Sequence, residues 1–141
     1  MATTGDNVPI ISSDIGLLGD SLENIDLRNN RIGSTIPTCI GNLILLTSFD
    51  VSYNYLQGGL SGILLSNATG LEVLRVDHNL LTGTIPELPY SQLRELNLSF
   101  NNFTGTIPNL SLSQLRDLNL SFNNFTGNFT NVLADITTLG K

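Results

Sequence analysis

The sequence predicts a β-dominated solenoid in which each coil contributes one short strand to a parallel sheet. Three observations carry this prediction. First, one phrase of apolar residues ending in Asn-x-apolar occurs five times, from Leu22-x-x-Ile25-x-Leu27-x-x-Asn30-x-Ile32 to Leu115-x-x-Leu118-x-Leu120-x-x-Asn123-x-Phe125. Its asparagines, Asn30, Asn54, Asn79, Asn101 and Asn123, recur every 22 to 25 residues, a period that belongs to stacked coils. Second, apolar and polar residues alternate inside the phrase, as in Leu96-Asn97-Leu98 and Leu118-Asn119-Leu120, which puts aliphatic side chains on one face of a strand. Third, Gly, an aliphatic residue and Pro follow the asparagine at fixed offsets, as in Thr82-Gly83-Thr84-Ile85-Pro86 and Thr104-Gly105-Thr106-Ile107-Pro108. Glycine permits the bend there, and proline stops any ladder or helix from continuing.

Taken in chain order, the elements begin with Val8-Pro9 and Ile15-Gly16-x-Leu18, which read as the second half of a unit whose strand is missing. Strands are expected near 23–27, 47–51, 72–76, 94–98 and 116–120, giving one domain over 1–141 with five full repeats between two partial ones. After the first strand, Gly33-Ser34-Thr35-Ile36-Pro37 is a looser version of the bend, and Ile40-Gly41-Asn42-Leu43-x-x-Leu46 has the spacing of a short helical turn on the outer side. The second repeat reads Gly58-Gly59-Leu60-Ser61, with Ser61 where the first, third and fourth repeats carry proline. Residues 91–105 and 113–127 are identical except for Glu95 against Asp117, the mark of a duplicated unit. Gly127-Asn128-Phe129 through Leu139 begins a sixth unit that stops before its strand, so the chain is expected to be a segment of a longer protein. Each asparagine falls where the chain leaves the sheet, and its amide can satisfy backbone groups left inside the coil. Replacing Asn101 with Leu is expected to cost about 1–3 kcal/mol through such groups.

Composition narrows the function classes. Hydrophobic residues make up 40% and charged residues 13%, too apolar a chain for disorder. A net charge of −6 argues against a nucleic-acid surface. No apolar run reaches membrane-spanning length, so no direct membrane insertion is expected, and Met1-Ala2-Thr3-Thr4-Gly5-Asp6 lacks the pattern of a secretion signal. Cys39 is the only cysteine and reads as a buried, inert thiol. His78 is the only histidine, and no nucleophile motif accompanies it. Asp77-His78 falls short of a metal site, and Gly58-Gly59-x-x-Gly62 lacks the lysine of a phosphate loop. The chain is therefore read as non-catalytic, with no cofactor and no metal.

These residues resemble the plant-type leucine-rich repeat, LxxLxLxxNxLxGxIPxxIGNLxx, over about Pro9 to Leu139. The resemblance implies an α/β right-handed superhelix with a concave parallel sheet, a narrow flanking sheet and short 3₁₀ turns outside. It also implies a relation to ectodomains of receptor-like kinases, receptor-like proteins and polygalacturonase inhibitors, at the cell surface or outside it. A flanking strand should be weak at Gly58-Gly59-Leu60-Ser61.

On such a scaffold the polar strand positions form columns, one reading Asn24, Ser48, Val73, Glu95, Asp117 and the next Asp26, Asp50, Arg75, Asn97, Asn119. Beyond them lie Arg28, Ser52, Asp77, Ser99, Ser121 and then Asn29, Tyr53, His78, Phe100, Phe122. Exposed aromatics beside charges are interface anchors, so a protein or peptide ligand is expected against Asp50, Tyr53, Arg75, Asp77, His78, Glu95, Phe100, Asp117 and Phe122. Truncating Phe100 and Phe122 to Ala is expected to weaken binding and leave stability nearly intact. The alternatives are a self-assembling structural repeat and, from the ranks Thr82-x-Thr84 and Thr104-x-Thr106, ice binding, which some members of the family perform. Seven Asn-x-Ser/Thr sequons occur, at Asn67, Asn97, Asn102, Asn109, Asn119, Asn124 and Asn128, of which Asn67, Asn102 and Asn124 are the candidate acceptors.

Overall fold

A computed structural model describes residues 2–3, 8–60, 69–87, 92–108 and 114–127. Two strands at the N-terminus, β1 (Ala2–Thr3) and β2 (Pro9–Ile10), pair antiparallel. The main sheet is parallel and five-stranded, running β3 (Asn24–Asp26), β4 (Ser48–Asp50), β6 (Val73–Arg75), β8 (Glu95–Asn97) and β10 (Asp117–Asn119). Ile25, Phe49, Leu74, Leu96 and Leu118 stand in register across it. Their neighbours on either side point the opposite way, and this alternation makes one face of the sheet the core.

The second sheet runs along the flank as β5 (Gln57–Gly58), β7 (Leu80–Gly83), β9 (Asn102–Gly105) and β11 (Asn124–Phe125), also parallel. A single bridge from Thr35 to Gln57 extends it towards the first repeat. The flank strand of the second repeat has two residues where those of the third and fourth have four. Gly58, Gly83, Gly105 and Gly127 close these segments at φ +78°, +82°, +77° and +99°. At Gly105 the space is also taken, since a Cβ there would lie 2.8 Å from the Thr84 methyl of the preceding coil.

Between the two sheets lies one continuous core, built of repeated layers such as Leu71, Leu93 and Leu115, then Val51, Val76 and Leu98, then Leu56, Leu81 and Phe103. Each fully buried leucine contributes about 1.5–3 kcal/mol by leaving water. Two 3₁₀ helices, η1 (Ser13–Leu18) and η2 (Thr38–Asn42), stack on the outer side. Cys39 is half-buried and unpaired, against Gly16. Residues 128–141, where the sixth unit is expected, lie outside the described residues.

The asparagines tie successive coils together. Asn79 Oδ1 accepts from the Leu56 amide of the preceding coil at 2.9 Å, and its Nδ2 donates to the carbonyls of Val51, Val76 and Asp77 at 3.0–3.1 Å. Asn54, Asn101 and Asn123 repeat the pattern, accepting from Ile32, Leu81 and Phe103. Asn30 differs. It is exposed, and among the described residues its amide donates only to Leu27 and Arg28 of its own coil.

Candidate functional site

The residue before each of these asparagines adopts the left-handed conformation. Asn29, Tyr53, His78, Phe100 and Phe122 have φ between 52° and 56°. For a non-glycine residue this costs about 1–2 kcal/mol. The inter-coil backbone ladder holds it in place by continuing through the turn. The Tyr53, His78 and Phe100 amides donate to the Asp77, Ser99 and Ser121 carbonyls, and the following Asn54, Asn79 and Asn101 amides donate to His78, Phe100 and Phe122. Only at the first coil does the position hold asparagine, the side chain that tolerates this conformation best.

Because every coil repeats the same turn, the side chains emerge parallel. Tyr53, His78, Phe100 and Phe122 form one stack, with ring centroids 4.0, 4.2 and 4.1 Å apart and interplanar angles of 12–19°. Tyr53 is 50% exposed, Phe100 40% and Phe122 69%, so the column stands at the rim of the concave sheet with its edges in solvent. His78 Nδ1 lies 2.9 Å from Asp77 Oδ2, a contact that fixes the plane of the ring. Phe100 loses two stacked neighbours if truncated, so its substitution is not neutral for stability as expected from sequence. Phe122 has one described neighbour and keeps more of that independence.

Next to the column, the structure corrects two assignments. Asp50 and Asp77, expected as exposed contact residues, are each only 5% exposed. Asp50 Oδ1 accepts from the Ser52 amide at 3.0 Å and the Ser52 hydroxyl at 2.6 Å. Asn97 does the same for Ser99, and Asn119 for Ser121. Asp26 accepts from the Arg28 amide. The second column is therefore chiefly a set of side chains closing local turns at the strand ends, a role for which Asp and Asn are suited. The signal was present in the sequence as Asp50-x-Ser52, Asn97-x-Ser99 and Asn119-x-Ser121.

Arg75 breaks the column and reaches both ways. Its guanidinium forks onto Glu95, with Nη2 2.7 Å from Oε2, and its Nη1 lies 3.4 Å from Asp50 Oδ2. The hydrogen bond to Glu95 raises its pKa above an already high value, more than burial lowers it, and it stays cationic throughout. Glu95 and Asp117 are cross-strand partners, and between them, Asn97 and Asn119 lies a cleft of about 160 Å³. The arrangement offers carboxylate and amide groups next to a rigid aromatic rim. Among the described residues no group of three or more His, Cys, Asp or Glu side chains could hold a metal ion.

A parallel-sheet solenoid stapled by asparagines, with a concave polar sheet and an exposed rim, is a repeat scaffold. Residues 21–43, 70–91, 92–112 and 114–136, more than half of the chain, match the Leucine Rich Repeat family, and the chain belongs to it. It is 38% identical over 73 residues to Receptor-like protein 41 of Arabidopsis thaliana, a match spanning 50% of this chain and 8% of that protein. The receptor kinase HAESA ectodomain from Arabidopsis, solved with an IDA peptide hormone ligand, superposes with a TM-score of 0.85 at 30% identity over 93% of this chain and 22% of that one. A plant ice-binding protein superposes with a TM-score of 0.77 at 28% identity, over 86% of this chain and 40% of that one. The chain thus spans less than half the length of each of these three proteins. Among the described residues no helix is long and apolar enough to cross a membrane.

Proposed function

We propose that the chain is a non-catalytic recognition scaffold that binds a protein or peptide ligand across its concave sheet and aromatic rim, at the cell surface or outside the cell. The observation that carries this reading is the ring column. It presents exposed aromatic edges in a single conformation fixed by backbone hydrogen bonds, so little ordering entropy is left to lose on binding. Exposed, rigid aromatics beside charged groups serve as interface anchors. Tyr53, His78, Glu95, Phe100, Asp117 and Phe122 are the contact residues. Asp50, Arg75 and Asp77 act through them, since Arg75 orients Glu95 and Asp77 orients His78. The peptide-hormone complex of the similar HAESA ectodomain supports the ligand class. Likeness to Receptor-like protein 41 supports the location.

The test is selection of ligands from a random displayed-peptide library against the chain, followed by Phe122→Ala. Loss of one interface anchor should weaken binding at least about tenfold. Unchanged affinity would remove the column from the binding surface.

A second reading is ice binding on the flank, favoured by the exposed Thr82, Thr104 and Thr126 and by the similar ice-binding fold. Two full threonine ranks make a small array. Absence of ice-recrystallisation inhibition by the purified chain disposes of this reading.

A further inference from the structure

Asn67, Asn109 and Asn128 lie outside the described residues, and the structure sorts the other four sequons into two kinds. Asn97 and Asn119 sit in the strands of the concave sheet, and each side-chain Oδ1 accepts from the hydroxyl of its own sequon serine at 2.7 Å. Asn102 and Asn124 open the flank strands β9 and β11, and both are exposed. In β9 the next residue, Phe103, is fully buried while Asn102 and Thr104 face outward. Asn124 and Thr126 are likewise exposed around the half-buried Phe125.

One residue earlier the situation is reversed. Asn101 and Asn123 spend their Nδ2 hydrogens on carbonyls of two successive coils, and neither could carry a substituent there without breaking that ladder. The twin asparagines Asn101-Asn102 and Asn123-Asn124 thus divide the work, the first member inside the coil and the second in solvent.

We infer that Asn102 and Asn124 are N-glycan acceptors and that the flank sheet is the sugar-covered face of this protein. In the transfer, Nδ2 attacks the anomeric carbon of a lipid-diphosphate-linked oligosaccharide, supplied with its transferase by the secretory pathway. The new bond is Nδ2–C1, the C1–O bond to phosphate breaks, the lipid diphosphate leaves with the bonding pair, and one Nδ2 proton is lost to base. The product keeps one N–H and disturbs no core contact.

Position gives the modification its consequence. Asn102 is the cross-strand partner of Thr82, and Asn124 of Thr104. Strand spacing puts each glycan about 5 Å from one of the threonines that would have to lie flat against a crystal surface. Sugars on these two residues project from the flank and leave the ring column uncovered. This inference rests on the extracellular reading above.

The chain is to be expressed behind a secretion signal in plant cells, and the secreted protein released from its sugars by peptide-N-glycosidase in heavy-oxygen water. Peptide mapping then reads each former glycan site as a labelled aspartate. Labelling of both Asn102 and Asn124 in most copies, with Asn97 and Asn119 largely bare, is the expected result. A double Asn102→Gln, Asn124→Gln variant should lose that mass and keep the same circular dichroism and melting midpoint. Secreted protein that is bare at both positions, or that carries its sugar mainly on Asn97 and Asn119, overturns the inference. Either result leaves concave recognition standing, because ligand selection is run on chain produced without sugars. Conversely, loss of the concave reading leaves the glycan map unchanged.

Discussion

Asn101→Leu removes one rung of the amide ladder and leaves the hydrophobic pattern intact. The Leu81 amide, which donates to Asn101 Oδ1 at 2.9 Å, then has no acceptor in a position that is 0% exposed. The three carbonyls served by Asn101 Nδ2 fare better. Val76 keeps Asn79 Nδ2, Leu98 keeps Asn123 Nδ2, and Ser99 keeps the His78 amide. The stranded donor costs about 1–3 kcal/mol and the weakened acceptors add roughly 1 more, so a loss of about 2–4 kcal/mol is expected. With a urea slope of about 1–3 kcal/mol/M, a 3 kcal/mol loss lowers the unfolding midpoint by about 1–3 M. Asn30→Leu is the internal control, because Asn30 is exposed and, among the described residues, receives no amide from another coil. Its cost should stay below about 1 kcal/mol, in the range of a surface substitution. Equal losses at the two positions, or a loss below about 1 kcal/mol at Asn101, would refute the reasoning that inter-coil amide bonds hold the stack.

Three further outcomes follow from the same geometry. In Asn101→Asp the carboxylate faces the Val76, Leu98 and Ser99 carbonyls in a buried site, which raises its folded pKa above the unfolded one. Its penalty should therefore be largest near neutral pH and shrink as pH falls and protonation restores a donor, read as melting midpoints of the variant and the parent chain from pH 7 down to about pH 4. Gly83→Ala meets only its positive φ, whereas Gly105→Ala also meets the Thr84 methyl. Urea unfolding should show both destabilised by at least about 1 kcal/mol, with Gly105→Ala the worse of the pair. At Phe100, both Ala and Gly forfeit two ring stacks worth about 0.5–1.5 kcal/mol each. Gly escapes the left-handed penalty, so Phe100→Gly should equal or exceed Phe100→Ala in melting temperature.

The repeat period and the alternation in each phrase were enough to read the solenoid and its parallel sheet, because stacking forces every coil into the same conformation. Leu96 between two outward polar residues, for instance, can only be a buried strand centre. The flank glycines were equally legible as bends. Burial within the polar columns was not. Asp50 occupies the same kind of position as the exposed Asp26 on the preceding coil, whereas Asp77 shares its buried column with Ser52 and Ser99; what holds the two carboxylates there is a local turn to Ser52, a neighbouring arginine and a histidine ring. Such contacts depend on side-chain reach across about 5 Å, which a column written from sequence does not contain. The aromatic residues were visible as a column. Their left-handed turn, which turns four side chains into one stack, was not, since Tyr and Phe rarely adopt it alone. Sequons posed the opposite difficulty, because the repeat phrase writes Asn-Leu-Ser and Asn-Phe-Thr for structural reasons, and only the direction of each side chain separates them.

The most direct test of concave recognition is to map a selected peptide onto the chain by substitution on both faces. Phe122→Ala and Asp117→Ala should each weaken binding at least about tenfold, while Thr82→Ala and Thr104→Ala on the flank leave it within about twofold. Affinity that survives both concave changes and falls with the flank threonines would contradict the account.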